Sequence, residues 1–437
     1  MTRYRDSRAT KRLRALAAAC LFAGVACSGL TKVDSPDVVQ PTQLANAAGA
    51  DALTNGALSA IYSPFIGLVY NTGVFSDEFM LPTIFTTFAD IDFRTQSITY
   101  TEYGPIGVHA VRTEAQQAIE ARRLYAPTPA SKMGQLFAVK GFAELYLGEV
   151  SCNGTPLTEI VNLQPVWGTA ITSDSMLKRA VADFDSALVY AADSVRILNY
   201  VRVARGRALA DRGLFADAAA AVAGVPTSYV FNAELTTAVS GQSNSVWNAN
   251  NLKSITVSNR EGVNGLDFVT ANDPRVPTQN LGLGTDGLTT VYLFTRYNSL
   301  TSPIPMASGI EARLIEAEAA LQANHNDANP TGNGWLGKLN DLRATQITPP
   351  MAPLADPGSY DARVNLLFRE RAFWLFATGH RMADLRRLLR QYGRTVTTTW
   401  PTGPYKAGVN YGTDVVFILT LSEQSNPNTH YCTDRNP

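Results

Sequence analysis

Apolar side chains recur every three or four residues along much of this 437-residue chain, the pattern of helices that each bury one stripe. The period runs through Leu44–Tyr62, Val108–Tyr125, Lys132–Gly148, Met176–Ala192, Tyr200–Pro226, Ile310–Leu321 and Trp335–Ala344. Over Val108–Tyr125, for instance, Val108, Val111, Ala115, Ala118 and Ile119 share a face that mostly excludes Arg112, Glu114 and Glu120. The last run is the clearest. Val364, Leu367, Phe368, Arg371, Trp374, Leu375 and Thr378 follow i, i+3, i+4, i+7 spacing, and Met382, Leu385, Leu388 and Leu389 restart the stripe after Gly379. Glycine readily takes the left-handed conformation that ends a helix. Phe368–Leu389 therefore predicts two helices meeting at a corner framed by Glu370, Arg371, Arg381, Asp384, Arg386 and Arg387. Between Ser228 and about Pro305 the helical period is lost, Ser, Asn, Thr and Gly dominate, and only short β pieces such as Thr289–Tyr297 stand out. So long an irregular stretch inside a folded body predicts a binding region in preference to a linker.

The middle helices resemble tetratricopeptide repeats, units of about 34 residues in which two helices pack and stack on their neighbours. In Tyr200–Pro226 the residues Gly206, Leu209, Gly213, Phe215, Ala218 and Val222 fall at the required spacing, small residues permitting close approach and a glycine making the turn. Lys132–Gly148 reads as the first helix of another unit, with Gly141 and Gly148 in the same roles. Its partner, Met176–Ala192, carries Ala180, Phe184 and Ala187. A loop of about 25 residues containing Cys152 separates the two, long for such a connection.

The two ends change the picture. Residues 1–26 form a basic n-region with Arg3, Arg5, Arg8, Lys11, Arg12 and Arg14, then an apolar h-region at Leu16–Ala26 too short to span a bilayer. Gly24-Val25-Ala26-Cys27 resembles a bacterial lipoprotein cleavage site, which makes Cys27 the expected lipidated residue; Cys20 and an ordinary signal cut near Ala26 are the alternatives. Removal of residues 1–26 takes away six basic residues and one acidic, leaving 31 against 36 and a net charge of about −5. Nothing there supplies the basic stripe that nucleic acid requires. Asp34–Thr42 reads as a tether, and no later segment is expected to cross a membrane. Cys152 and Cys432 remain besides the anchor, and an exported chain leaves them either as a disulfide or as two buried thiols.

Phe368–Leu389 (FRERAFWLFATGHRMADLRRLL) also resembles the C-terminal signature of the RagB/SusD family of outer-membrane nutrient-binding lipoproteins. Arg369, Glu370, Arg371, Gly379, His380, Arg381, Asp384, Leu385 and Arg386 match it, whereas Trp374, Thr378 and Met382 depart from it. Ser76-Asp77-Glu78, Asp273-Pro274-Arg275, Arg296-Tyr297, Glu311–Glu318 and the tail Val416–Asn428 resemble further landmarks in the same order. The resemblance implies a mostly α-helical fold, a tetratricopeptide-like superhelix with a loop-rich lobe containing short β pieces. On that reading 1–26 is the signal peptide, 27–43 the lipidated N-terminus and tether, and 44–437 a single SusD-like domain. Repeat-like helices would occupy about 105–225 and 309–391, and the ligand lobe about 228–305. The implied protein is lipid-anchored at the outer membrane and exposed at the cell surface. It would capture an oligosaccharide or peptide and pass it, as a lid, to a SusC-type TonB-dependent transporter.

Catalytic and metal chemistry have little support in the sequence. His109, His325, His380 and His430 show no metal-ligand spacing, and no G-x-S-x-G elbow occurs. Gly332–Lys338 approaches a phosphate-binding loop, yet Leu339 stands where Ser or Thr would hold magnesium, so it reads as the start of a helix. Glu311, Glu316 and Glu318 are carboxylates on a repeat helix, where packing and solvent-facing roles come first. No cofactor or metal is expected, and no enzyme activity. Sugar rings stack their C–H faces on aromatic side chains while polar groups read the hydroxyls. Arg94, Tyr100, Tyr103, Trp247, Asn250, Tyr292 and Tyr297, all in irregular segments, are the candidate ligand contacts, with core or loop packing the competing role for each aromatic. Two other functions stay open: an envelope interaction scaffold without a small ligand, and a lipid-anchored glycoside hydrolase, which would need two carboxylates facing each other across roughly 5–10 Å.

Overall fold

Among the described residues the helices of eight residues or more run in chain order as α1 (Ala47–Ala60), α2 (Tyr62–Phe75), α3 (Ile106–Tyr125), α4 (Ala130–Val150), α5 (Ser173–Tyr190), α6 (Val195–Asp211) and α7 (Phe215–Val222). They continue as α8 (Gly309–Ala323), α9 (Trp335–Thr345), α10 (Tyr360–Trp374) and α11 (Arg381–Tyr392). This computed structural model describes residues 44–83, 89–96, 106–161, 164–406, 408–419 and 426–429. The expected helices form, several begun by the side-chain caps their sequences offer. Thr172 accepts the Ser175 amide at 3.2 Å, Ser308 that of Glu311 at 3.1 Å and Ser359 that of Ala362 at 3.2 Å.

The helices pack in sequence order: α3 on α1, α4 on α3, α5 on α4, then α6, α7, α8 and α9 in turn, with α11 returning against α2 and α4. α4 is buried almost all round from Met133 to Val150, as a central helix with no polar face should be. Its glycines set the spacing. A Cβ at Gly141 would stand 2.8 Å from Phe184, and one at Gly148 2.8 Å from Leu177, so α4 and α5 touch nearly backbone to backbone. Gly206 does the same against Val222 between α6 and α7.

Two expectations need correcting. Tyr62–Phe75 had no predicted helix of its own, and with α1 it makes a stretch, Ala47–Phe75, that is long and apolar enough to cross a membrane. Its apolar side chains are spent internally: Phe65, Val69, Val74 and Phe75 are fully buried in the common core. The break between α10 and α11 is also wider than one glycine. α10 stops at Trp374, and Ala377 (φ +57°) and Gly379 (φ +81°) both turn left-handed before α11 starts.

The β structure consists, among the described residues, of five two-stranded antiparallel pairs. Two of them, Thr155–Pro156 with Ala170–Ile171 and Glu159–Val161 with Gln164–Val166, fill the long α4–α5 connection. The other three build the lobe: Phe79–Met80 with Thr256–Val257, Val230–Ala233 with Ile304–Ser308, and Thr278–Leu283 with Thr290–Phe294. Cys152, in the α4–α5 connection, is disulfide-bonded to a cysteine outside the described residues. The C-terminal segment reaches the same place, where the Phe417 amide donates to the Val150 carbonyl at 2.7 Å.

Candidate functional site

The α10–α11 corner collects charges from across the chain. Arg371 grips Asp384 with two hydrogen bonds of 2.9 and 2.8 Å, and Arg381 grips Asp77 at 2.6 and 2.9 Å. Glu370 receives Arg275 at 2.6 and 3.0 Å and Arg343 at 2.9 Å. Arg387 pairs with Glu318, and Arg386 caps the end of α4 through the carbonyls of Glu149 and Ser151. His380 places Nε2 3.0 Å from Glu311 and Nδ1 2.8 Å from the Thr378 hydroxyl. All of these signature side chains are buried. Ala377, left-handed without being glycine, is held at both ends: its amide donates to Glu78 at 3.0 Å and its carbonyl accepts from the Tyr297 hydroxyl at 2.8 Å. Burial pushes Glu78 up to about 8, against the pull of the Ala377 amide and Arg381.

The network is closed to solvent, so it fixes the angle between helices and presents nothing to a ligand. The suspected carboxylates Glu311, Glu316 and Glu318 are likewise engaged, Glu316 with Lys338 at 2.7 Å. A second acidic cluster, missed in the sequence, lies under the C-terminal segment. Tyr405 donates to Asp92 at 2.5 Å and Tyr411 to Glu261 at 3.1 Å, with the two rings 5.2 Å apart. Burial outweighs those bonds and lifts Asp92 to about 7; burial and then the nearby Asp92 lift Glu261 well above the carboxylate range. Asp92 and Glu261 are 0% and 3% exposed, so they do not form the open pair a glycosidase needs. The only sequence signal for this cluster was two tyrosines in a Pro- and Gly-rich stretch, Pro401–Gly412.

The candidate ligand contacts divide. Tyr100 and Tyr103 lie outside the described residues, as do Cys27 and Cys432. Arg94 is fully buried, donates to the carbonyls of Asp414 (3.0 Å) and Pro401, and stands 5.1 Å over the Trp400 ring. Tyr297 is 4% exposed with its hydroxyl on Ala377. These two are corrected from ligand contacts to interior braces, because each polar end already has a backbone partner. Asn250 is corrected too. Its amide donates to the carbonyls of Ile255 (2.8 Å) and Tyr292 (3.1 Å), and its oxygen accepts the Phe294 amide at 2.7 Å. Those bonds fasten the short helix Ser245–Asn251 to the strand Thr290–Phe294. Trp247 and Tyr292 sit on that fastened helix and strand, half-buried and packed against the core. Burial does not remove these two from the candidate contacts.

No family model matches the chain, and no curated protein matches it. Solved structures do. A SusD homologue from Bacteroides thetaiotaomicron superposes with a TM-score of 0.66 at 12% identity, covering 90% of this chain and 98% of that one. A SusD-like carbohydrate-binding protein from Bacteroides vulgatus gives 0.61 at 13% identity, covering 90% and 98%. The Bacteroides fragilis protein NanU gives 0.60 at 13%, covering 89% and 96%. The chain has the SusD fold. At such low identity the shared fold makes the buried corner intelligible: the side chains that match the SusD-like signature are the ones that hold helices at fixed angles.

Proposed function

We propose that this protein is a cell-surface lipoprotein, anchored through Cys27, that captures an oligosaccharide or peptide and delivers it to a SusC-type TonB-dependent transporter. The observation that carries the reading is the fold, shared over nearly the full length of proteins one of which is named for carbohydrate binding. Trp247 and Tyr292 on their braced helix and strand support it, because half-buried rings present one flat face without moving on binding. Tyr100 and Tyr103 are assigned to the same surface on sequence grounds. Binding and release are sufficient, and no covalent step is assigned.

The test is glycan- and peptide-array screening followed by calorimetry on the best ligand. Trp247→Ala and Tyr292→Ala should each weaken binding by about 1–3 kcal/mol, the range for a lost stacking ring in a binding surface, with little change in melting temperature. A large loss of stability with unchanged affinity would return both rings to the core. Detergent extraction of the native protein should bring a large β-barrel partner with it. A soluble monomer without acyl mass would overturn the anchored-lid reading.

A further inference from the structure

A pocket lies where the α1–α2 junction, α4, α6 and the lobe's Val230–Ala233/Ile304–Ser308 strand pair meet. Its volume is about 110 Å³. That is the scale of a single ring, since an engineered apolar cavity of roughly 150 Å³ takes up benzene. An aromatic column leads to it. Phe142 stacks on Tyr200 at 4.7 Å with planes 5° apart, and Tyr200 on Phe231 at 3.9 Å with planes 22° apart. The column ends under the Arg196 guanidinium, 4.5 Å above the Phe231 ring.

Three polar side-chain groups of the pocket, the Tyr62 hydroxyl, the Gln135 carboxamide and the Tyr200 hydroxyl, have no hydrogen-bond partner among the described residues. Arg196 is held by its backbone, whose carbonyl accepts from the Tyr229 hydroxyl at 2.7 Å. Its guanidinium meets Glu234 only at 4.0 Å, with both side chains more than half exposed, so its donors remain available. No acidic side chain lines the pocket. Arg196, Tyr62, Tyr200 and Gln135 thus line a slot whose other walls, such as Met306, are apolar.

We infer that this pocket binds a small monocarboxylate carrying one flat ring, the ring lying among Phe231, Tyr200 and Met306 and the carboxylate taken by Arg196 with Tyr62 or Gln135. Neither Trp247 nor Tyr292 lines this pocket, so a ligand here would accompany the cargo without competing for those rings.

The probe is benzoate, titrated calorimetrically into the mature protein, with benzamide and benzyl alcohol as neutral counterparts. Benzoate should bind, and the neutral compounds should bind about tenfold more weakly or worse, as expected for loss of a charge-assisted hydrogen bond. Arg196→Gln, at an exposed guanidinium, should fold normally and lose the same factor; Tyr62→Phe should lose a smaller one. Trp247→Ala should bind benzoate unchanged, even if it abolishes cargo capture. No binding of benzoate at millimolar concentration, equal affinity for benzoate and benzamide, or an Arg196→Gln variant with wild-type affinity would each overturn the assignment. So would loss of benzoate binding in Trp247→Ala, which would put the ring against Trp247.

Discussion

Replacing Arg381 by methionine tests whether the α10–α11 corner is a buried ionic frame. Its guanidinium is 5% exposed and its partner carboxylate, Asp77, 1%, and the two share hydrogen bonds of 2.6 and 2.9 Å across 304 residues of chain. Methionine keeps the apolar stem and removes the charge. Asp77 would then stay buried with the Leu266 amide, at 3.0 Å, as its remaining described donor. An uncompensated buried charge of this kind costs about 3–5 kcal/mol, a large share of a typical total stability of about 5–15 kcal/mol. Asp77→Leu should lose a similar amount by stranding Arg381. The double variant should lose less than either single one, about 1–3 kcal/mol, because only the Leu266 amide is then left without its acceptor. Urea unfolding followed by circular dichroism measures all three, provided the denaturant slope stays constant. A loss below about 1 kcal/mol for Arg381→Met, the size seen for solvated surface pairs, would refute the buried-frame argument. Strict additivity of the two single changes would refute it as well.

Other outcomes follow from the same structure. Gly148→Val, whose Cβ would stand 2.8 Å from Leu177, should destabilise the protein by about 1–3 kcal/mol in urea titrations, whereas Gly56→Ala, with nothing within 4 Å of the added Cβ, should be neutral or stabilising. Thermal unfolding should show a maximum near about pH 5–6. Glu78 at about 8 and Asp92 at about 7 bind protons more tightly folded than unfolded, so their contribution fades as pH rises from the ordinary carboxylate range toward 8. Asp384 and Glu311 are the reverse: burial raises each, but Arg371 and Arg387 on the first and His380 on the second hold them low, and that contribution is lost as pH falls below about 4. A melting temperature that is flat or rises between about pH 5.5 and 8.5 would contradict this. Mass spectrometry of the membrane fraction should find acylated Cys27 and a Cys152–Cys432 peptide. Free Cys432 or an unmodified N-terminus would refute the corresponding assignment, and removing the bridge should cost about 4–5 kcal/mol in the chain-entropy treatment.

Helix positions were legible in the sequence because a buried stripe imposes its period on local residues, and α4, α5, α8 and α11 appear close to where that period placed them. α2 escaped: Tyr62–Phe75 is apolar around much of its circumference, and a helix buried on most sides carries little amphipathic signal. The candidate contacts show a sharper limit. Arg94, Asn250 and Tyr297 looked like Trp247 and Tyr292 in sequence, polar or aromatic residues in irregular segments. Only their hydrogen bonds to distant backbone, Arg94 to Asp414 and Tyr297 to Ala377, separate braces from free surface.

The sequence alone determined the helical stripes, the glycines that let α4 meet α5 and the corner at Gly379, because each depends on residues within a few turns of one another. It also displayed the landmark motifs, without saying what they were for. Tertiary structure decided that Asp77, Arg275, Glu311 and Glu318 are the partners of Arg381, Glu370, His380 and Arg387. The physical reason is that a charge can be taken out of water only where a counter-charge or hydrogen-bond partners meet it, and the chain positions that satisfy this condition are brought together by packing, with no trace in local spacing.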